Sequence, residues 1–393
     1  MKDKFESARK MFPHTNGIVY FNTAAYGPLP EKTKEAIMEN IDLRLSLEKE
    51  DIRQMYELRD TLREDFARLI GAQARQIGLS MNTSMGLNIA AYGLPLEAGD
   101  EILTTDIEFP AAVYAWRGAS ETRNLKLTLV KSTDKKADIQ NLEKAISDKT
   151  KVISVSFVQF FDGYKNDLAR ISKLCKDHGL FFVVDGIQGA GVEPVNVKEL
   201  GIDIFACGCQ KWLLSPYGSG FFYISDSVKD RLRPPFITWY SVDWQLNHTD
   251  LFKYDLPYFD TVEKFEAGYY ATLNMLGMKV AVDIILGLGV ENIQKHNYAL
   301  IDRLAKRIKE TEFYNITSSL VENERSSIFT FTCDDHASLF KYMLEKKVKA
   351  ANREGSIRIS VHLFNNEDDI DKLVEVLADY EKQYNSKTTA KAN

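Results

Sequence analysis

A succession of runs that are apolar throughout, rather than alternating, constrains this chain more than any other feature. "IGLSM", "EILTTD", "VISVSFV", "LFFVVD" and "DIFACG" follow one another, and helical stretches beginning near Ser84, near Ala111 and at Leu168 stand between them. A strand with no polar side needs both faces of its sheet covered. The pattern therefore predicts an α/β fold with a mostly parallel sheet and helices on each face. "GSGFFYIS" follows "DIFACG" too closely for a helical crossover, so an antiparallel member is expected.

The flanks divide the rest. Residues 1–24 read as an N-terminal arm whose "GIVYFNTAAYGPLP" continues into a short strand and a Pro-bounded turn. From Glu31 to about Leu69 the chain is charged, free of glycine and apolar at helical spacing, which predicts one or two long helices. An aromatic-rich irregular stretch runs from Pro234 to Gly268. After Thr272 come a long helix, the helix of "NIQKHNYALIDRLAKRIKE", and the alternating strands "SSIFTFTC" and "SIRISVHL" flanked by two amphipathic helices. The expected division is a large domain over 25–271, a small α+β domain over 272–384 and a frayed tail over 385–393.

With 393 residues, a hydrophobic fraction of 45% and a charged fraction of 27%, the composition is that of a soluble globular protein. A net charge of −6 argues against nucleic acid or an anionic membrane as partner. No run of eighteen apolar residues occurs, and "MKDKFESARKMF" lacks the apolar region of a signal peptide. Four cysteines make no disulfide framework in so long a chain, so a reducing cytoplasm is the expected setting. Cys207 and Cys209 stand too close to form metal-type spacing with a second pair, and no metal site is expected.

The chemistry concentrates after "LFFVVD". Asp185 ends that run, Gln188 follows three positions on, and Lys211 lies in a small, glycine-flanked turn after the next run, "CGCQKWLLSPYGSGFFY". A carboxylate at a strand end and a lysine on the next crossing are what pyridoxal phosphate requires. The lysine forms the Schiff base, and the carboxylate keeps the pyridine nitrogen protonated so that the ring draws electrons. A lysine activated by partial desolvation fits such a turn. In "GLSMNTSMGLN", Asn82, Thr83 and Ser84 lead into a helix and offer hydroxyls and free backbone N–H groups to a phosphate. Taken alone, that motif reads equally as a helix cap.

The order strand–"NTS"–helix, "EFPAAVYAW", "VVDGIQGAG…VNVKELGID…CGCQKW…YGSGFFY", "FEAG" and "GSIRIS" resembles the class V aminotransferase family, which includes the cysteine desulfurases, from about Tyr20 to Tyr380. The resemblance implies the aspartate-aminotransferase type I fold of pyridoxal-phosphate enzymes, with a mostly parallel seven-stranded sheet, and a homodimer. By the same resemblance Thr83 and Ser84 bind phosphate, Asp185 meets the pyridine nitrogen, and Gln188 meets the ring hydroxyl. Lys211 carries the Schiff base, and Arg358 in "SIRISVH" takes the substrate α-carboxylate bidentately.

Several positions depart from the family. Phe109 stands where many relatives stack a histidine on the cofactor ring, and a phenyl group stacks but moves no proton. Gln210 and Cys209 replace the usual His and Ser or Thr before the lysine. Phe160, with Gln159 beside it, replaces an asparagine near the ring. Tyr269 stands where a threonine reaches the partner subunit's phosphate.

The family covers several reactions, so the resemblance leaves transamination, C–S lysis and epimerisation open, with transamination first. The "WYSV" and "GSIRISVH" segments resemble its isopenicillin-N-epimerase-like branch. A non-catalytic protein retaining the fold is opposed by the intact Asp185–Gln188–Lys211–Arg358 set. Desulfurases that pass sulfur onward need a mobile-loop cysteine shortly before the arginine. Here "KKVKAANREGSIR" has none, and Cys333 belongs to a strand end. Trp239, Tyr240 and Trp244 suit either a substrate entrance or a dimer interface.

Overall fold

A computed structural model gives the fold and describes residues 2–46, 52–134, 136–246, 249–268 and 271–392. Strand β1 (Val19–Tyr20) is followed by helices Glu31–Leu45 and Ile52–Ile70, so the charged, glycine-free stretch forms two helices. Next come β2 (Ile77–Ser80), β3 (Glu101–Thr105), β4 (Lys126–Val130), β5 (Thr150–Ser156), β6 (Phe181–Asp185), β7 (Ile204–Gly208) and β8 (Gly220–Ile224). They form one sheet in the order β2-β8-β7-β6-β5-β3-β4. Strands β3 to β7 pair in parallel, and β8 runs antiparallel to both β7 and β2, as its short connection requires.

The helices between these strands start and stop where local chemistry dictates. Asn82 caps helix Thr83–Gly93 by accepting from the Met85 N–H at 2.9 Å. Asp167 caps helix Leu168–His178 in the same way, and Gly179 ends it in the left-handed region at φ 64°. Alternate residues of the central strands then serve two cores. Phe182, Val184, Phe205 and Phe221 point one way, towards Phe66, Leu168 and Met278. Val183, Ile204, Ala206 and Phe222 point the other way, towards Leu87, Ala90 and Trp116. Each fully buried Val or Phe contributes about 1.5–3 kcal/mol, which is why these strands contain no polar side.

Helices Thr272–Leu288 and Val290–Ile308 meet at Gly289 and lead to the C-terminal part of the chain. Its strands are β9 (Asn315–Ile316), β10 (Ile328–Thr332), β11 (Val348–Lys349), β12 (Ala351–Arg353) and β13 (Ser356–Ser360), with helices His336–Glu345 and Glu367–Ala392. Four of them make an antiparallel sheet, β12-β13-β10-β9, while β11 pairs in parallel with β1. This sheet is two-faced. Phe329, Phe331, Ile357 and Ile359 enter a core with Ile301, Leu339 and Leu373. Thr330, Thr332, Ser356 and Arg358 occupy the opposite face, as the register places them.

The N-terminal residues join this half of the molecule. Helix Lys2–Arg9 stacks Phe5 on His296 with centroids 4.0 Å apart, and Arg9 binds Asp369 at 2.7 Å. The last helix runs through 385–392, where the sequence suggests fraying, with Tyr384 packed on Phe313 at 5.3 Å in its preceding turn. No single helix among the described residues is long and apolar enough to cross a membrane.

Candidate active site

The parallel strands end together at one edge of the central sheet, where ligands bind in sheets of this kind. The chain leaves β2 for Thr83, β3 for Phe109, β5 for Phe160, β6 at Asp185 and β7 for Lys211. Residues separated by more than a hundred positions therefore converge on one place.

Asp185 and Lys211 form its electrostatic centre. Both are buried, with 3% and 8% of their surfaces exposed. Burial raises the Asp185 carboxyl to about 6, against the Ile187 N–H that donates to Oδ1 at 2.9 Å and the Lys211 charge. The other carboxylate oxygen makes no bond to the described residues. Burial lowers the Lys211 amine to about 8; Asp185 opposes the shift, and the charges of Arg358 and Arg353 reinforce it. An amine near 8 is neutral in a useful fraction of molecules at neutral pH, as a nucleophile or base must be.

The turn carrying Lys211 is held from every side. Leu214, fully buried, sits in the left-handed region at φ 49°, a conformation that costs a non-glycine residue about 1–3 kcal/mol and persists only under tight packing. The Gly27 N–H donates to the Gln210 carbonyl at 2.8 Å. A Cβ at Gly27 would lie 2.2 Å from the Lys211 carbonyl oxygen, so this approach admits glycine only. Trp212 Nε1 donates to Gln188 Oε1 at 2.8 Å, and Gln188 Nε2 donates to the Ala24 carbonyl at 3.1 Å, leaving one amide N–H uncommitted. His362 accepts the Leu363 N–H at Nδ1, so its Nε2–H donates to the Trp212 carbonyl at 2.7 Å. Burial depresses this imidazole to about 4, and it stays neutral.

On the far side of Lys211, Thr83 and Ser84 open helix Thr83–Gly93. Thr83 Oγ1 accepts the Gly208 N–H at 2.8 Å, which leaves its own proton free to donate. Gln210 converges on the same spot: a Cβ on Gly208 would meet Gln210 Oε1 at 2.5 Å and Thr83 Oγ1 at 3.1 Å. That amide oxygen is buried and without a partner, and a half-turn of the amide would present its N–H groups to an anion.

The third wall joins the central sheet to the C-terminal antiparallel sheet. The Phe109 ring faces the Lys211 amine, with Nζ 5.4 Å from its centroid, and packs edge-on against Phe160 at 5.1 Å. Behind it the buried Glu108 accepts from Thr105 Oγ1 at 2.8 Å, the Ser156 N–H at 3.0 Å and Gln159 Nε2 at 3.1 Å, tying the ends of β3 and β5 together. Burial raises the Glu108 carboxyl, its hydrogen bonds oppose the shift, and the charge of Asp185 adds to it. Arg358 crosses from the C-terminal sheet and donates through Nη1 to the Phe160 carbonyl. Its Nε has no partner, and no carboxylate among the described residues pairs with it. Burial and Arg353 lower its pKa to about 9, so it remains a buried cation at neutral pH.

The family model of the class V aminotransferases matches residues 19–373. The chain belongs to that family. Class V aminotransferases are pyridoxal-phosphate enzymes, and the residues fit that cofactor. A buried carboxylate has an oxygen free for a protonated ring nitrogen, a buried amine is available for the aldehyde, and a helix start with Thr83, Ser84 and Gln210 is available for the phosphate. Among relatives, an uncharacterized aminotransferase of Bacillus subtilis is 25% identical over 95% of this chain and 97% of its own. A probable cysteine desulfurase of Pyrococcus abyssi is 26% identical over 97% and 98%. In fold, the chain is similar to a cysteine desulfurase from Thermococcus onnurineus NA1, with a TM-score of 0.86, 24% identity and coverage of 96% and 98%. It is also similar to the cystine C–S lyase C-DES in complex with its product cysteine persulfide, with a TM-score of 0.86, 22% identity and coverage of 94% and 99%.

The structure brings Thr83, Ser84, Phe109, Asp185, Gln188, Gln210, Lys211 and Arg358 to this one edge; Tyr269 lies outside the described residues. The sequence reading passed over Glu108, Trp212, His362 and Arg353. Glu108 and Trp212 had a signal, each adjoining a residue that was singled out. His362 had none, because its partner is a backbone carbonyl 150 residues away.

Proposed function

We propose that this class V enzyme works at the α-carbon of a free amino acid as an aminotransferase, with Lys211 as the residue that binds the cofactor covalently and moves the α-proton. The carrying observation is the Lys211 amine, lowered to about 8 by burial between Asp185 and the Phe109 ring. Bound there, pyridoxal phosphate supplies an electron sink that acidifies the substrate's Cα–H bond. Asp185 would hold a positive charge at the ring nitrogen, the uncommitted Gln188 N–H would serve the ring hydroxyl, and Thr83, Ser84 and Gln210 would hold the phosphate at the helix start. Phe109, facing the Lys211 amine, would lie against the ring. It has no proton to give, so Lys211 Nζ takes the proton from the substrate Cα. Arg358 receives the α-carboxylate, which supplies the anion its guanidinium lacks among the described residues.

Lysis of a C–S bond is the second reading, favoured by the desulfurase names of relatives such as the Pyrococcus abyssi protein. Relay of sulfur to a protein thiol is not favoured. Cys175, Cys207, Cys209 and Cys333 are all buried, and burial raises every one of these thiols. Four buried, unpaired cysteines also suit a reducing cytoplasm. A homodimer is part of the proposal. Phe252 and Tyr254, 83% and 84% exposed, stand in the aromatic stretch that a second copy would cover.

An amino-acid panel separates the reactions. Transamination yields keto acid only when an amino acceptor is present. Ammonia or sulfide without an acceptor would establish elimination instead, and racemised substrate with neither product would establish epimerisation. Sedimentation of a fully active monomer would overturn the dimer.

A further inference from the structure

The polar face of the C-terminal antiparallel sheet carries a second arginine that the proposed mechanism does not use. Strands β12 and β13 are joined by Glu354 and Gly355 alone, both at positive φ (46° and 82°), the two-residue hairpin turn that fixes register tightly. That register sets Arg353 opposite Ser356 and Ala351 opposite Arg358. Arg353 and Arg358 are therefore diagonal neighbours on one face, on the order of 7–8 Å apart and within reach of a single small molecule.

This face looks into the cleft. Arg358 donates to the Phe160 carbonyl, and Ser318 Oγ donates to the Asp162 carbonyl at 2.6 Å, so the face grips the loop that follows β5. Thr332 Oγ1 bonds the Gly355 carbonyl at 2.8 Å and steadies the hairpin tip.

Arg358 is buried with a neutral carbonyl as its partner, whereas Arg353 is exposed and makes no ion pair among the described residues, even with the neighbouring Glu354. Both arginine charges help to lower the Lys211 amine, which puts them within Coulombic range of it. Once a substrate α-carboxylate occupies Arg358, the charge of Arg353 is left over on the same sheet face, beside the arginine that reaches the Phe160 carbonyl. Arg353 is exposed to solvent, and the hairpin register sets it on the same face as the buried Arg358.

We propose that the substrate carries a second anionic group, beyond its α-carboxylate, and that Arg353 pairs with it across an apolar spacer lying against Phe109 and Phe160. The class is that of amino acids with a distal carboxylate, sulfinate or sulfonate. This inference rests on the reading of Arg358 as the α-carboxylate site.

The test compares kcat/KM of the holoenzyme for acid and amide pairs: aspartate with asparagine, and glutamate with glutamine, with cysteine sulfinate as a third acid. The wild type should prefer the acid by about tenfold or more, the worth of one charge-assisted contact. Arg353→Gln should bring the acid-to-amide ratio close to one through KM, and Arg353→Lys should keep part of the preference. A wild type that takes amide and acid equally, or an Arg353→Gln that weakens both alike, would overturn the inference. A second measurement needs no turnover. Glutarate should raise the melting temperature of the cofactor-free protein more than butyrate does, and Arg353→Gln should erase that difference; equal shifts in the wild type count against the inference. If no amino acid of either kind alters the cofactor's absorbance, the proposed function fails, while the glutarate comparison still reads Arg353.

Discussion

In the central sheet, Asp185 ends one strand buried on both faces and Lys211 lies just beyond the next, whereas in the C-terminal antiparallel sheet Arg358 projects from a strand with one apolar and one polar face. The difference shows how two kinds of sheet bring charge to one cleft. A parallel sheet covered on both sides has no polar face to offer, so its chemistry must sit at strand ends, where chain turns and helix starts converge. An antiparallel sheet covered on one side presents a whole face, and its hairpins space charges along it by register. In the proposed function, the first arrangement would hold the cofactor through a buried acid, a buried amine and a helix start. The second holds groups suited to a substrate that comes and goes, with the loop after β5 clasped between the two.

The hardest test of that division is Lys211→Ala. It should abolish cofactor fixed by borohydride and cut turnover by about 10²–10⁴-fold, the range for a lost acid–base group, or more. Retained fixed cofactor would move the covalent site elsewhere. Arg358→Gln should raise KM for amino acids by roughly 10–100-fold with the bound cofactor's visible spectrum unchanged. Loss of the cofactor instead would mean that the C-terminal sheet serves the cofactor and that the division is wrong.

The two sheets also meet through charge. The neutral fraction of Lys211 grows as pH rises through about 8, so the rate at which cofactor-free protein fixes pyridoxal phosphate should climb through that pH. Because the Arg358 charge depresses the amine, Arg358→Gln should move the profile to higher pH; an unmoved profile would mean the sheets are electrostatically independent. The smallest expected effect concerns His362, which joins them through the Trp212 carbonyl. Its pKa falls from 6.5 to about 4 on folding, so the unfolded chain binds more protons between those values and stability is lost as pH falls from 6.5 towards 4. Asp185, raised from 3.8 to about 6, contributes the opposite slope between those two values. Melting temperatures from pH 4 to 7 should therefore fall less steeply with acidification in His362→Asn than in the wild type.

Much of the central sheet was legible in the chain because its signals are local. Apolar runs between helical stretches mark strands that need two covers, and Asp185 and Lys211 sit at fixed offsets from them. The antiparallel β8 followed from a connection too short for a helix. Arg358 could be read only through resemblance, since an arginine in "SIRIS" has the same pattern whether it faces solvent or substrate. Glu108 adjoins Phe109 in the sequence, but its burial shows only when Thr105, Ser156 and Gln159 close on its carboxylate.

By itself, then, the sequence determined the elements, the parallel sheet and the lysine with its acid, because each depends on residue type and spacing within a short stretch. Only the tertiary structure decided which groups are left without partners. Whether the Gln210 amide is free, whether Arg358 meets the loop after β5, and how far burial shifts Asp185 and Lys211 depend on packing between segments far apart in the chain. Desolvation and Coulomb interaction act through space, and the chain order carries no record of those distances.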